Sequence, residues 1–189
     1  MNKIVAFGAS NNSKSINRKL AEWASKRLKD TKVDLLDLND YEFPIYSSDR
    51  EQENGIPEKA YQFKDALRAA DGIVISFAEH NGSYSAAFKN ILDWVSRIER
   101  PLWLNKPMFL LATSPGQRGG QGVLTSAVKS FPHQGGQVVA SYSLPSFNQN
   151  FIAEKGIYEP ELKNKFEAQL ANFEKAIHES VKEREVGAA

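Results

Sequence analysis

The chain has 189 residues, 41% of them hydrophobic, which is the size and composition of one compact domain with its own core. Its 24 Lys and Arg residues and 23 Asp and Glu residues leave a formal net charge of +1, which argues against a nucleic-acid partner and favours small-molecule partners. The absence of cysteine excludes disulfides, thiol nucleophiles and iron–sulfur clusters, and it fits a reducing compartment.

Five short apolar runs rich in β-branched residues predict buried strands. They cover residues 3–7, 32–38, 72–77, 107–113 and 137–144. The first run is too short for the core of a signal peptide or for a membrane span. We therefore expect a cytoplasmic protein that does not bind membranes.

Helical patterns separate these strands. The first and the last place their apolar residues on one stripe, within residues 16–28 and 162–181. Strict alternation of strand and helix predicts right-handed crossovers and a parallel sheet covered on both faces, which is a doubly wound three-layer α/β fold. No linker divides the chain, so residues 1–189 are predicted to form a single domain, in which the long segment 39–56 is a functional loop.

The loop after the first strand is rich in hydroxyl and amide side chains and opens a helix. Ligands of such sheets bind at the carboxyl ends of the strands, and a helix start attracts anions, so Ser10, Ser15 and Asn17 are candidate phosphate donors. One alternative is that Ser13 or Ser15 only caps the helix. A P-loop nucleotide site is another, but Ser13 replaces its second glycine and no aspartate ends the third strand.

The loop after the third strand, residues 78–84, sets polar residues beside a glycine and a tyrosine. Its backbone N–H and C=O groups can pair with the edge of a flat heterocycle such as a flavin, with His80 or Tyr84 near the face of the ring. The alternative is an ordinary Asn-Gly turn. The three histidines show no metal-ligand spacing, and neither a metal site nor a catalytic side chain is predicted.

The loop after the fourth strand, residues 113–122, has four glycines among ten residues. Glycine permits positive φ and lacks the Cβ that would block a ligand, so we expect a ligand to approach this backbone closely, and Arg118 can meet a nucleotide phosphate. The alternative is a mobile surface loop with a solvated arginine. All three loops are predicted at one sheet edge, which makes the case for a joint site stronger than the case for any single loop.

These motifs resemble those of the NADPH-dependent FMN reductase family, a flavodoxin-like group that includes quinone, azo-compound and chromate reductases. The family's first-loop pattern G-S-x-R-x-x-S-x-N is similar to residues 9–17, with Asn12 where the family has arginine. Its P-E-Y-N turn is similar to residues 78–81, and its K-N-x-x-D-W matches residues 89–94, which is the most specific signal. The resemblance runs from the first strand into the fifth.

The resemblance implies a flavodoxin-like sheet with the strand order 2-1-3-4-5 and FMN as the cofactor. It implies FMN contacts for Ser10, Asn12, Ser15, Ile16, Asn17, Ala78, Glu79, His80, Asn81, Ser114, Gly116, Gly119 and Gly120. NAD(P)H would reduce the flavin and leave, and a small acceptor such as a quinone, an azo compound, a metal oxyanion or free flavin would then be reduced at the same place. A flavodoxin-type electron carrier is the alternative, but such carriers are strongly acidic, whereas this chain has balanced charges.

The segment after the second strand carries the apolar residues Phe43, Ile45 and Tyr46, and it looks like the family's loop at the dimer interface. One small domain would expose these side chains, so we expect a homodimer or a homotetramer. The alternative is that they fold back on their own core.

Overall fold

The computed structural model describes residues 1–187, so the last two residues of the predicted domain lie outside it. Its strands are β1 (Asn2–Ala9), β2 (Thr31–Leu36), β3 (Gly72–Phe77), β4 (Lys106–Thr113) and β5 (Gly136–Leu144). They form one parallel sheet in the order β2-β1-β3-β4-β5, which confirms the predicted fold. Every strand lies within two residues of its predicted bounds, because the apolar runs mark the stretches that helices cover.

Helices connect and flank the strands. They are α1 (Ile16–Ser25), α2 (Ser48–Asn54), α3 (Glu58–Ala69), α4 (Ala86–Val95), α5 (Gln121–Ser130), α6 (Phe147–Asn150) and α7 (Pro160–Gly187). Helix α2 lies inside the segment 39–56, for which the sequence predicts a loop. Ser47 caps it by accepting a hydrogen bond from the Arg50 N–H, and none of its residues is buried, so it lacks the apolar stripe that reveals a helix.

The two faces of the sheet bury two separate apolar clusters. Alternate residues of β3 illustrate the division, since Ile73 and Ile75 pack on one side and Val74 on the other. The first side is covered by α3, α4 and α5, and the second by α1 and α7. This arrangement is the predicted three-layer sandwich.

The chain between β5 and α7 forms a short helix, α6, and a two-stranded hairpin of β6 (Phe151–Ile152) and β7 (Gly156–Ile157). The hairpin packs beneath Trp23, whose ring meets Phe151 edge to face at 5.7 Å. These strands have two residues each, too few for a periodic pattern, and the sequence does not predict them.

The carboxyl ends of β1, β3 and β4 meet at one edge of the sheet. The register pairs Ala9 with Phe77, and Phe77 with Ala112, so the loops that follow these strands begin side by side. This convergence confirms the topological basis of the predicted site. Within residues 1–187, no helix is both long enough and apolar enough to cross a lipid bilayer.

Candidate functional site

Three loops form the candidate site: the first loop (residues 10–15), the second loop (78–85) and the third loop (114–120). A buried hydrogen bond joins the second loop to the end of β1, where the first loop begins, because Ser85 Oγ donates to the carbonyl of Ala9 at 2.9 Å. The same hydroxyl accepts from the Phe88 N–H and caps α4. One small side chain therefore sets both the second loop and the helix that follows it.

Short-range hydrogen bonds shape the first loop. Ser10 Oγ accepts from the Asn12 N–H at 3.2 Å, and Asn12 Oδ1 accepts from the Lys14 N–H at 2.9 Å. Ser15 Oγ accepts from the Arg18 N–H at 3.2 Å and caps α1. Both serine hydroxyls act here as acceptors, and each keeps its hydrogen as a donor. Capping and anion binding are thus compatible functions of Ser15.

The first turn of α1 adds backbone donors to these hydroxyls. Ile16 and Asn17 are its first two residues, and N–H groups at a helix start have no intrahelical acceptor. The positive end of the helix dipole lies at the same place, and residues 10–17 include Lys14 and no carboxylate. This donor set suits a phosphate group.

The side chain of Asn17 has partners inside the protein. It is 2% exposed, its Oδ1 accepts from Ser76 Oγ at 2.7 Å and from the Thr113 N–H at 3.0 Å, and its Nδ2 donates to the Thr113 carbonyl at 3.1 Å. An amide side chain has two lone pairs and two N–H hydrogens, so one hydrogen remains. Asn17 therefore ties the start of α1 to the ends of β3 and β4. For the predicted contact with a phosphate, Asn17 can offer only the remaining side-chain hydrogen and its backbone N–H.

The second loop contains a tight two-residue turn. His80 and Ser83 exchange backbone hydrogen bonds of 3.0 Å each, and the residues between them, Asn81 and Gly82, have φ values of 51° and 75°. Two positive φ values in an Asn-Gly pair are typical of a type I′ turn. The turn chemistry predicted as an alternative is therefore present, and it leaves His80 and Asn81 exposed while Ala78 stays half-buried.

The carboxylate of Glu79 joins the second loop to the third. Its Oε2 accepts from the Val123 N–H at 2.8 Å, in the first turn of α5. Gly120 occupies the cap position of that helix and offers no side-chain acceptor, so Glu79 replaces it. The sequence predicts Glu79 beside the cofactor but does not reveal this partner, which lies 44 residues away along the chain.

The glycine pair of the third loop packs against β5. Gly119 and Gly120 are buried and have φ values of 56° and 73°. A Cβ on Gly119 would lie 2.5 Å from Ser143 Oγ and 2.8 Å from the Leu144 carbonyl. At Gly119 the close neighbour is the protein's own edge strand, and the approach of a ligand to this backbone stays a prediction. A cofactor contact there would have to use backbone atoms.

The more accessible part of the third loop is its beginning. Ser114 is half-buried and Gly116 is exposed, and Ser114 Oγ donates to the Gly116 carbonyl at 3.2 Å. The same carbonyl accepts from the N–H groups of Ser146 and Gly119. The loop is thus fixed by several hydrogen bonds, and these two residues remain candidates for contact with a ligand.

The segment after β2 is held by the motif that matches the family best. Asn90 Nδ2 donates to the carbonyls of Phe43 and Pro44, its Oδ1 accepts from the Tyr46 N–H, and Trp94 Nε1 donates to Pro44 at 2.8 Å. Sequence reasoning missed these functions of Asn90 and Trp94, because their partners are 44 to 50 residues away.

These bonds decide where the three apolar residues of that segment lie. Phe43 is 9% exposed, and the ring of Tyr46 meets Trp94 edge to face at 5.0 Å, so both fold back on the core. Ile45 is 66% exposed. Lys89 and Asp93, four residues apart on α4, form a local surface ion pair at 2.6 Å.

The sequence of this chain is similar to those of several known reductases. Residues 2–149 match the family model described as NADPH-dependent FMN reductase. A quinone reductase of Escherichia coli K12 is 35% identical over 79 residues, which cover 42% of this chain and 42% of that protein. A 2-hydroxy-1,4-benzoquinone reductase of a Burkholderia species is 35% identical over 119 residues, 62% of this chain and 63% of that one. The chain thus spans about two fifths of the first of these curated relatives.

Solved structures share the fold at lower identity. The flavoenzyme FerB from Paracoccus denitrificans, an NAD(P)H:(acceptor) oxidoreductase, has a TM-score of 0.76 at 22% identity over 95% of this chain and 99% of that one. An azoreductase from Bacillus anthracis has a TM-score of 0.60 at 18% identity over 95% of this chain and 100% of that one. These likenesses confirm the flavodoxin-like architecture.

Proposed function

The chain belongs to the NADPH-dependent FMN reductase family, and from that membership we propose that it is an NAD(P)H-dependent FMN oxidoreductase that reduces a small acceptor. The acceptors in question are quinones, azo compounds, metal oxyanions and free flavin. The observation that carries the proposal is the convergence of three loops at the carboxyl ends of β1, β3 and β4, with an anion-binding helix start in the first of them.

The first loop supports the binding of the FMN phosphate. Ser10 and Ser15 offer hydroxyl hydrogens, and the first N–H groups of α1 offer backbone donors. Asn12 stands where the family has arginine, and its side-chain oxygen accepts from the Lys14 N–H. Charge neutralisation of the phosphate is then left to the helix dipole and to Lys14.

The second and third loops support the position of the flavin ring. FMN, when bound, supplies the hydride chemistry, and the protein supplies orientation and donors at the ring edge. Ala78 and Asn81 would act mainly through backbone atoms, and Ser114 and Gly116 lie on the accessible part of the third loop. Glu79 holds the two loops together. We assign binding residues and no catalytic side chain.

A flavodoxin-type electron carrier would bind the same cofactor in the same fold, so the experiment must test the reaction itself. The protein is loaded with FMN, and NADPH is added without oxygen. An oxidoreductase bleaches its flavin absorbance directly, and adding a quinone restores it. A carrier stays yellow until a separate reductase is supplied, and a protein that binds no FMN contradicts both functions.

We further infer that the protein works in the cytoplasm as a single flavodoxin-like domain that assembles into a homodimer or homotetramer. The absence of cysteine supports the cytoplasmic location, and the packing of one five-stranded sheet between two apolar clusters supports the single domain. The exposed Ile45, whose neighbours Pro44 and Tyr46 are held by hydrogen bonds to Asn90, supports the assembly into an oligomer.

A further inference from the structure

A wide groove runs along the free edge of β5. It has a volume of about 700 Å³, within the range of small-molecule sites. Its floor is formed by residues 141–143 of β5, one side by Gln117, Arg118 and Gln121, and the other by the first turns of α7. Because α5 and α7 cover opposite faces of the sheet, the groove straddles the sheet edge.

The floor of this groove is fixed and closed to another strand. The outward N–H of Ser141 donates to Gln169 Oε1 at 3.1 Å, so it is not available for pairing with a further strand. Tyr142 is 7% exposed, and its hydroxyl donates to the Leu162 carbonyl at 3.1 Å. An extended peptide adding to the sheet is therefore a poor occupant, and a compact polar ligand is a better one.

The lining is cationic. It contains Arg118 on one side and Lys165 on the other, and no carboxylate. In the described part of the chain, Arg118 has no acidic partner within ion-pair distance. Lys165 contacts Glu161 at 2.6 Å, but both side chains are more than half exposed, and such a pair contributes little and exchanges readily for another anion. The groove thus suits a phosphorylated ligand.

The groove is continuous with the third loop. Gln117 and Arg118 lie between Gly116 and Gly119, and Ser143 Oγ donates to the Gly119 carbonyl at 2.9 Å. A ligand that reaches the flavin ring over Gly116 can therefore extend directly into the groove. The nicotinamide nucleotide is such a ligand, because its nicotinamide must meet the ring while its adenosine half lies elsewhere on the protein.

We propose that this groove binds the adenosine half of NADPH, with Arg118 and Lys165 holding the 2′-phosphate. This inference rests on the proposed function and adds the residues that select between the two nucleotides. A phosphate monoester carries a charge of about −1.5 to −2 at pH 7, and a planar guanidinium can bind it through two hydrogen bonds. NADH lacks this group, so the two cations favour NADPH.

The test measures binding without turnover. Adenosine 2′,5′-bisphosphate, which carries the 2′-phosphate but no nicotinamide, is titrated calorimetrically into the FMN-loaded protein. Arg118→Ala and Lys165→Ala should each weaken its binding about tenfold, the effect of one lost charge-assisted contact. The binding of 5′-AMP should change less. In turnover, the ratio of kcat/KM for NADPH to that for NADH should fall about tenfold in either variant.

Lys175→Ala is the matched control. Lys175 lies on the same helix and faces Glu179 at the same spacing that separates Lys165 from Glu161, but it does not line the groove. Its replacement should leave both measurements unchanged.

The outcomes separate the two proposals. If the wild-type protein oxidises NADPH but the Arg118 and Lys165 variants retain wild-type affinity for the bisphosphate, this inference is overturned and the proposed function stands. If the wild-type protein binds no FMN or leaves NADPH unoxidised, the proposed function itself fails. Equal weakening in the Lys175 variant would also overturn the inference, because the effect would then be general electrostatics.

Discussion

Asn17 holds both backbone groups of Thr113, accepting from its N–H at 3.0 Å and donating to its carbonyl at 3.1 Å. The two residues are 96 positions apart, and Thr113 is the last residue of β4. Strand β3 pairs with β4 only as far as Phe77 and Ala112, so a side chain at the start of α1 takes the place of the backbone partner that β3 no longer offers to Thr113. The distance between the first and third loops depends on this contact.

The first prediction concerns Asn17→Ala. The change leaves the buried polar groups of Thr113 and Ser76 without a partner, which costs about 1–3 kcal/mol for each group left unsatisfied. If Asn17 acts by positioning, the variant should weaken the binding of FMN and of riboflavin, which lacks the phosphate, by a similar factor. Fluorescence titration with both flavins checks this. A loss confined to FMN would instead show a direct phosphate contact.

Ser76→Ala removes one hydrogen bond of the same network. It should weaken the binding of both flavins by a similar but smaller factor.

The second prediction concerns Ser15→Ala. We expect FMN binding to weaken by about 1 kcal/mol, the contribution of one hydrogen bond, while riboflavin binding changes less. Because Ser15 also caps α1, the free energy of unfolding should fall by about 1 kcal/mol without preventing folding. Ser15→Thr keeps the hydroxyl and should restore most of both. An unchanged FMN affinity in the alanine variant would leave Ser15 with the capping function alone.

The third prediction concerns Gly119. A Cβ at position 119 would collide with Ser143 and Leu144, and the substituted residue would have to keep a positive φ. Gly119→Val should therefore destabilise the protein or prevent its folding. If the third loop were shaped only by the ligand that the sequence leads us to expect there, the valine would block the cofactor and leave the fold intact. Gly119→Ala should lower the free energy of unfolding by roughly 1–3 kcal/mol. Gly116→Ala is the control, because its Cβ would lie 3.8 Å from the nearest atom. Equal stability of the two alanine variants in urea denaturation would contradict this argument.

The fourth prediction concerns acid stability and Asp37. Burial acts to raise the pKa of this carboxyl, but hydrogen bonds from Asn39 and the charge of Arg18, 2.6 Å away, outweigh it and hold the pKa below its ordinary value. A lowered pKa in the folded state stabilises the protein above the unfolded value of about 3.9, and this contribution is lost as the pH falls through the lowered pKa. The stability difference between the wild-type protein and Asp37→Asn should therefore shrink below about pH 4. Urea denaturation at several pH values measures it, and a constant difference would contradict the assignment.

The fifth prediction concerns assembly and Ile45. If this side chain is buried between subunits, Ile45→Asp should lower the molar mass measured by light scattering at micromolar concentration. Tyr61→Asp is the matched control, since Tyr61 is an exposed apolar side chain outside this segment. If the wild-type protein has the molar mass of a monomer, the prediction is wrong. If the molar mass of Ile45→Asp equals that of the wild-type oligomer, the subunit interface does not include Ile45.

The fold was more accessible from the sequence than the functions of single residues. Strand β3 is a continuous buried run, and Phe63 and Leu67 repeat at helical spacing, so local patterns are sufficient to locate them. Topology then predicts that the three loops meet. The contacts of Asn17 and Glu79 depend on partners 96 and 44 residues away, and no local pattern carries that information.

The contact between Glu79 and α5 also affects the electrical environment of the site. A carboxylate beside a flavin normally opposes the gain of electrons by the ring, because reduction adds negative charge nearby. Here the negative charge lies against the first turn of α5, whose N-terminus carries about half a positive elementary charge. The helix dipole offsets up to about half of that charge, so the second and third loops are linked by a charged residue at a reduced cost to the reducibility of a ring held between them.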